Sequence, residues 1–240
     1  MVEPHEVNAA EGVMDNRKSH EARARAAVRR RRVVQWLLLT VLVVTIGAGW
    51  WLPVLGFTVP AVMLMGLVGG LIRGRYVCGY LCPRGAFFDR IVAPLRRGGQ
   101  VPGFLRSMAF RWSLFAVLMG FMVFQISRNP SALNHWGRVF WLMCVVTTSV
   151  GIVGGLLVHP RFWCALCPMG TMQSALGGDR HQLAIDANTC RECMRCERAC
   201  PMGLEIVRHT PHGRLKDRDC LKCGECVAVC PTSALRWPGR

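Results

Sequence analysis

Charge is scarce in this chain, and negative charge scarcer still. Only 18% of the 240 residues are charged, 14 acidic side chains against 30 Lys and Arg, for a formal net charge of +16. Between Val33 and Ile72 there is no charged residue at all. At roughly 1.5 Å per residue and about 30 Å of hydrocarbon, that run excludes a single crossing and reads as a helical hairpin. No convincing small-residue cleavage site is found at Gly47-Ala48-Gly49-Trp50-Trp51. A cleaved twin-arginine signal is therefore set aside in favour of a retained anchor. The basic excess raises nucleic acid as a partner. Most of these arginines, however, flank apolar runs or lie between them, as headgroup-facing segments do, so no nucleic-acid role is expected. With 52% apolar residues and a mean hydropathy of +0.28, the composition suits a membrane protein whose charges crowd into short loops.

Cysteine is plentiful. The stretch C-R-E-C-M-R-C-E-R-A-C-P from Cys190 to Pro201 recurs in register as C-L-K-C-G-E-C-V-A-V-C-P from Cys220 to Pro231. Each is C-x2-C-x2-C-x3-C-P, the spacing of bacterial two-cluster ferredoxins, in which the fourth cysteine turns away to the neighbouring cluster. Cys190, Cys193, Cys196 and Cys230 are thus expected to hold one [4Fe–4S] cluster, and Cys220, Cys223, Cys226 and Cys200 the other. Structural zinc has no use for a third C-x2-C step. Thiols kept for clusters imply a reducing interior, so this part is expected in the cytoplasm.

In chain order, residues 1–32 read as a flexible basic cytoplasmic tail, and 33–172 as a membrane domain with helices at about 33–52, 57–72, 110–127 and 139–158. Trp50, Trp51, Pro53, Gly56 and Pro60 mark the first turn. Residues 173–240 form the ferredoxin domain. The stretch from Gly85 to Leu95 is expected to lie flat on the membrane as a short amphipathic helix. Residues 73–111 hold eight arginines and the Trp50–Pro60 turn none. Both termini therefore belong on the cytoplasmic side of the inner membrane. The expected fold is an α-helical membrane protein with four transmembrane helices in two parallel two-helix repeats, followed by an α+β two-[4Fe–4S] ferredoxin module.

The repeat is legible in the residues. Gly69-Gly70 recurs as Gly154-Gly155, Arg75-Tyr76-Val77-Cys78 as Arg161-Phe162-Trp163-Cys164, and Leu81-Cys82-Pro83 as Leu166-Cys167-Pro168. A pseudo-two-fold would bring Cys78, Cys82, Cys164 and Cys167 together. They could bind a third cluster or a soft metal, cycle as disulfides, or simply pack. Cys144 reads as packing. His135 is a candidate proton acceptor but reads first as an exposed loop residue, and His159, His209 and His212 likewise.

On these motifs the chain, over about 33–235, resembles the membrane-bound polyferredoxins. They include the quinol dehydrogenase component of periplasmic nitrate reductase, the methylamine-utilisation ferredoxin-type protein and the C-terminal part of the nitrous-oxide reductase regulator. The second motif, C-x2-C-P, is one residue shorter than the family's C-x3-C-P. Neither an extracytoplasmic flavin domain before the first helix nor a domain beyond Arg240 is expected. The resemblance implies electron transfer between the quinone pool, or a cytoplasmic donor, and a partner redox enzyme, although the sequence shows no quinone motif. The alternatives are a copper-handling, cupric-reducing assembly factor and a redox-sensing regulator.

Overall fold

The computed structural model describes residues 4–96, 99 and 101–238, with side chains from residue 19 onward. Helix α1 runs Pro4–Ala48, and after a 3-10 turn at Pro53–Phe57, α2 covers Thr58–Arg73. Short helices α3 (Tyr76–Tyr80), α4 (Pro83–Phe87) and α5 (Ala93–Leu95) follow, with a π-turn at Phe88–Val92, and α6 is Gly103–Arg106. The chain then builds α7 (Met108–Ser127), α8 (Leu133–Leu157), α9 (Phe162–Leu166) and α10 (Pro168–Gly177). Among the described residues four helices are long and apolar enough to cross a membrane: Ser19–Ala48, Pro53–Arg73, Met108–Ser127 and Leu133–Leu157. Their outward faces carry large apolar side chains such as Leu37, Val68, Phe121 and Val153, while glycines, Thr147, Thr148 and Gln35 face inward. That is the arrangement expected where lipid is the solvent and small residues let helices meet.

Two expectations are corrected here. The basic tail is helical and continuous with the first span, because Arg31 and Val28 are buried against the rest of the protein. The stretch 85–95 is not a single free amphipathic helix: it is α4, the π-turn and α5, and one face of it packs into the protein. Phe88 and Val92 are fully buried, and they face the glycines of α8: a Cβ on Gly151 would stand 2.5 Å from the Phe88 ring and one on Gly155 3.0 Å from Val92.

The duplication is expressed as an exchange. The glycine face of α8 receives the segment after the first cysteine-proline motif. The glycine face of α2 receives α10, the segment after the second. Gly66 and Gly70 meet Gln173, which stands six residues after Cys167 as Phe88 stands six after Cys82. Gly177 closes on the Gly70 carbonyl with no room for a Cβ. Each repeat thus completes the packing of the other, and the two motifs are brought to one place.

Beyond α10 the chain forms a small α+β module. Strand β1 (Ala184–Ile185) pairs antiparallel with β2 (Leu235–Arg236), enclosing α11 (Arg195–Arg198) and α12 (Glu225–Val229). Leu183, Leu204, Ile206, Leu215, Leu221 and Val227 make its core.

Candidate functional site

The two cysteine loops have the same backbone. Glu192 and Met194 in the first, and Lys222 and Gly224 in the second, hold equivalent positions and all have positive φ. Non-glycine residues rarely adopt that conformation. Repeated at alternate positions, it curls each loop around the space its cysteines face. Cys190, Cys193, Cys196 and Cys230 line one cavity of about 20 Å³, with Ile185, Ile206 and Leu235. Cys200, Cys220, Cys223 and Cys226 line a second of the same size, with Leu204, Leu215 and Trp237. None of these cysteines is in a disulfide.

The cavities differ in depth. Cys193 is exposed, whereas Cys220, Cys223 and Cys226 are all buried. Burial pushes the Cys220 thiol up to about 12 and the Cys223 thiol to about 11. The buried loop abuts the membrane domain: a Cβ on Gly79, between Cys78 and Cys82, would stand 2.4 Å from the carbonyl oxygen of Leu221, between Cys220 and Cys223.

Cys78, Cys82, Cys164 and Cys167 line a third cavity, of about 170 Å³, together with Arg75, Arg84 and Cys144. Each of the four thiols is within electrostatic reach of the other three. Burial pushes Cys78 up to about 12 and Cys82 to about 11. The cavity continues among the spans, walled by Leu42, Val59, Val62, Met122, Phe140 and Met143. Among the described residues no three Cys, His, Asp or Glu side chains converge tightly enough to hold a single metal ion. The same holds of the two ferredoxin cavities.

Arginines that sequence reasoning passed over build the frame. Arg75 donates to the carbonyl oxygen of Cys164, and Arg161, its counterpart in the repeat, donates to that of Cys78 at 3.4 Å. The guanidinium of each passes over the glycine of the opposite Cys-Pro-x-Gly turn, Gly170 and Gly85 respectively. Behind them stand two carboxylates. Asp89 takes Arg161 through Nε at 2.7 Å and Nη2 at 2.6 Å, Gln35 at 2.7 Å, and also Arg31. Asp219 takes Arg75 at 2.7 Å, Arg111 at 3.0 Å and the Ser174 hydroxyl at 2.8 Å. Burial alone would raise both carboxyls, but the guanidiniums, Arg161 first for Asp89 and Arg75 first for Asp219, hold them below the usual range.

Arg31 joins the units. Its Nε donates to Gly79 O at 2.8 Å, its Nη1 to Glu225 of α12 at 2.9 Å, and its Nη2 to Asp89. The repeated Arg-x-x-Cys in the sequence was the signal that could have revealed Arg75 and Arg161. Arg84 differs: it has no carboxylate partner among the described residues, its Nε is buried without a hydrogen bond, and its Nη2 reaches only the Cys144 sulfur at 3.5 Å.

The histidines lie elsewhere. His135, half-buried in the first turn of α8, contacts Gln125 O at 2.8 Å. His159 is buried rather than exposed, its Nδ1 accepting from the Arg161 amide. Burial, then Arg161, lowers its pKa.

Comparison with known proteins yields two family matches. The family described as a 4Fe-4S dicluster domain covers residues 182–231. The family described as a 4Fe-4S binding domain matches twice, at residues 55–98 and 133–183, each match holding one cysteine-proline motif. An uncharacterized protein of Methanocaldococcus jannaschii is 24% identical over 72% of this chain and 68% of its own length. Ferredoxin-type protein NapH of Escherichia coli is 33% identical over 34% of this chain, which spans only 32% of NapH. A ferredoxin of Methanothermococcus thermolithotrophicus is 38% identical over 22% of this chain and 92% of the ferredoxin. No solved structure matches the chain.

Proposed function

Since this chain belongs to the ferredoxin-type membrane proteins and is a membrane-bound iron–sulfur electron-transfer protein, we propose that its three thiol-lined cavities are successive stations for single electrons. Cys190, Cys193, Cys196 and Cys230 would hold the outer group, Cys200, Cys220, Cys223 and Cys226 the inner one, and Cys78, Cys82, Cys164 and Cys167 a third. Bound iron–sulfur clusters supply one-electron storage there. The donor sets fit: each cavity is lined by four thiols with apolar side chains beside them.

The observation that carries the order is the abutment of Gly79 and Leu221, which sets the inner loop directly on the first cysteine-proline turn. Arg31 holds that contact from both sides. The arginines around the third cavity supply the positive charge that four thiolates need, two of them answered by Asp89 and Asp219 and Arg84 by neither. Apolar walls reaching among the spans suit a quinone as the lipid-soluble end of the path, and a partner redox enzyme as the other. The arginine count supports an inner-membrane protein with both termini cytoplasmic.

A second reading has its own support. Met63, Met119, Met122, Met143 and Met169 line the same cavity as the thiols, and soft sulfur donors favour Cu(I). Anaerobic metal analysis separates the two. Wild type should carry about twelve irons, and the Cys82→Ser, Cys167→Ser double variant about eight, with quinol-dependent reduction lost. Stoichiometric copper in wild type, absent from the variant, would give the third site to the metal-handling reading. Equal iron and full activity in both would return the four cysteines to packing.

A further inference from the structure

The outer cysteine loop lies in a basic surface. Arg191, Arg195 and Arg198 are exposed, and none has an acidic partner among the described residues. Glu197, between them, is turned inward to accept the Val207 amide at 2.8 Å, leaving Glu192 as the exposed carboxylate of that loop. Beside them opens a groove of about 780 Å³ lined by Arg25, Arg195, Arg198, Glu21, Val229 and Cys230. Val229, 38% accessible, gives it an apolar centre together with Ala199, Ala228 and Pro231. A basic rim around an apolar centre, with one cysteine of the outer set in the wall, has the make-up of a protein-docking patch.

The membrane surface is a poorer occupant. Arg25 precedes Val33 by eight residues of continuous helix, which lifts the groove about 12 Å from the start of the apolar run. Headgroups fill about 5–7 Å of that distance, so screening over about 8 Å does not decide, and the direction in which the outer loop faces does. The inner loop, with its buried cysteines, faces the membrane domain, so the outer loop is the side open to a soluble protein.

We propose that the groove formed by Arg25, Arg195 and Arg198 beside Cys230 docks an acidic one-electron carrier protein. The proposal rests on the reading that Cys190, Cys193, Cys196 and Cys230 hold a redox centre, and it names the partner of that centre. Attraction between a basic rim and an acidic partner acts mainly on the association rate and weakens with salt.

The test uses the full-length protein in nanodiscs of zwitterionic lipid, with an acidic flavodoxin as probe. Binding of oxidised flavodoxin is followed by interferometry, and cluster reduction by flavodoxin hydroquinone by stopped flow. The Arg195→Glu, Arg198→Glu double variant should associate about tenfold more slowly, with most of the salt dependence gone. Its iron content and its reduction by dithionite should stay at wild-type levels. Should that variant lose iron, Arg25→Glu, on a helix outside the ferredoxin module, reads the same groove and should show the same loss. Unchanged association in variants that keep their iron overturns the docking surface alone. Loss of binding to phosphatidylglycerol vesicles with flavodoxin binding intact would assign the arginines to lipid and also overturn it. A wild type lacking the outer cluster, seen by iron analysis before flavodoxin is added, would sink the electron path itself.

Discussion

Arg75 and Arg161 stand in reciprocal positions, each donating to the backbone carbonyl of the first cysteine in the other repeat. Neither cysteine-proline turn is complete without the opposite half of the molecule. The sequence separation of 83 residues between Arg161 and Cys78 is therefore no measure of their independence.

Replacing Arg161 with Gln should be felt at Cys78. The variant loses the donor to Cys78 O and leaves Asp89 with Arg31 as its one ion-pair partner among the described residues. Removing one member of a buried ion network costs about 3–5 kcal/mol. The expected outcome is faster alkylation of Cys78 by a maleimide and loss of the third group. The eight ferredoxin cysteines should keep their iron, because they lie in a separate module. Alkylation rates equal to wild type would show that the crossed hydrogen bond does not hold the turn.

Gly79 tests the approach of the ferredoxin module to the membrane domain. Alanine there places a methyl 2.4 Å from Leu221 O, and backbone cannot swing aside as a side chain does. Overpacking of this kind costs about 1–3 kcal/mol. Gly79→Ala should retain about eight ferredoxin irons while quinol-dependent reduction of those clusters falls at least about tenfold. Undiminished reduction would mean that electrons reach the module by another route.

Asp89 makes a pH prediction with a definite sign. Its folded pKa is held below 3.8, so the stability it contributes is fully present above 3.8 and is lost as pH falls through the folded value. Asp89→Asn should be about 3–5 kcal/mol less stable than wild type at pH 7, leaving Arg161 and Arg31 buried without their shared carboxylate. The difference between the two proteins should stay flat from pH 8 to about 5 and close only in stronger acid. Chemical denaturation in a mild detergent across that range measures it. A difference that shrinks near neutrality would mean that a group other than Asp89 controls the network.

The spans, the repeat and the eight-cysteine spacing were legible because each is a local pattern. A charge-free run must cross the bilayer, and C-x2-C steps need only a curled loop. Helix ends shifted by a few residues, since Gly49 and Trp50 already turn where a span to residue 52 was expected. The 85–95 stretch was misread for a deeper reason. Its apolar residues fit lipid and fit the glycine face of α8 equally well, and only the crossed packing of the repeats chooses between them. Asp89 carries no sign in the sequence of the role it takes when Arg31 and Arg161, far apart in sequence, meet on it. Pairings of this kind have no local signature, so the frame around the four cysteines could not be read from the residues in order.

Arg84 gives the sharpest separation between an empty and a filled third site. A buried guanidinium without a carboxylate is destabilising unless something anionic faces it. Here its Nε has no hydrogen-bond partner and its Nη2 meets only a sulfur. In protein freed of metal, Arg84→Met should therefore be neutral or stabilising, with a midpoint of denaturation at or above that of wild type. In protein reconstituted with iron and sulfide the sign should reverse, because the cation that offsets the four thiolates has gone. The variant should then release its third group to a chelator at least about tenfold faster, as a loss of roughly 1.4 kcal/mol in binding implies. The Arg84→Lys variant, which restores the charge but not the planar fork, should recover part of that retention. The same sign of effect in both preparations would mean that Arg84 answers no anion, and the third cavity would be left with its thiols and no counter-charge of its own.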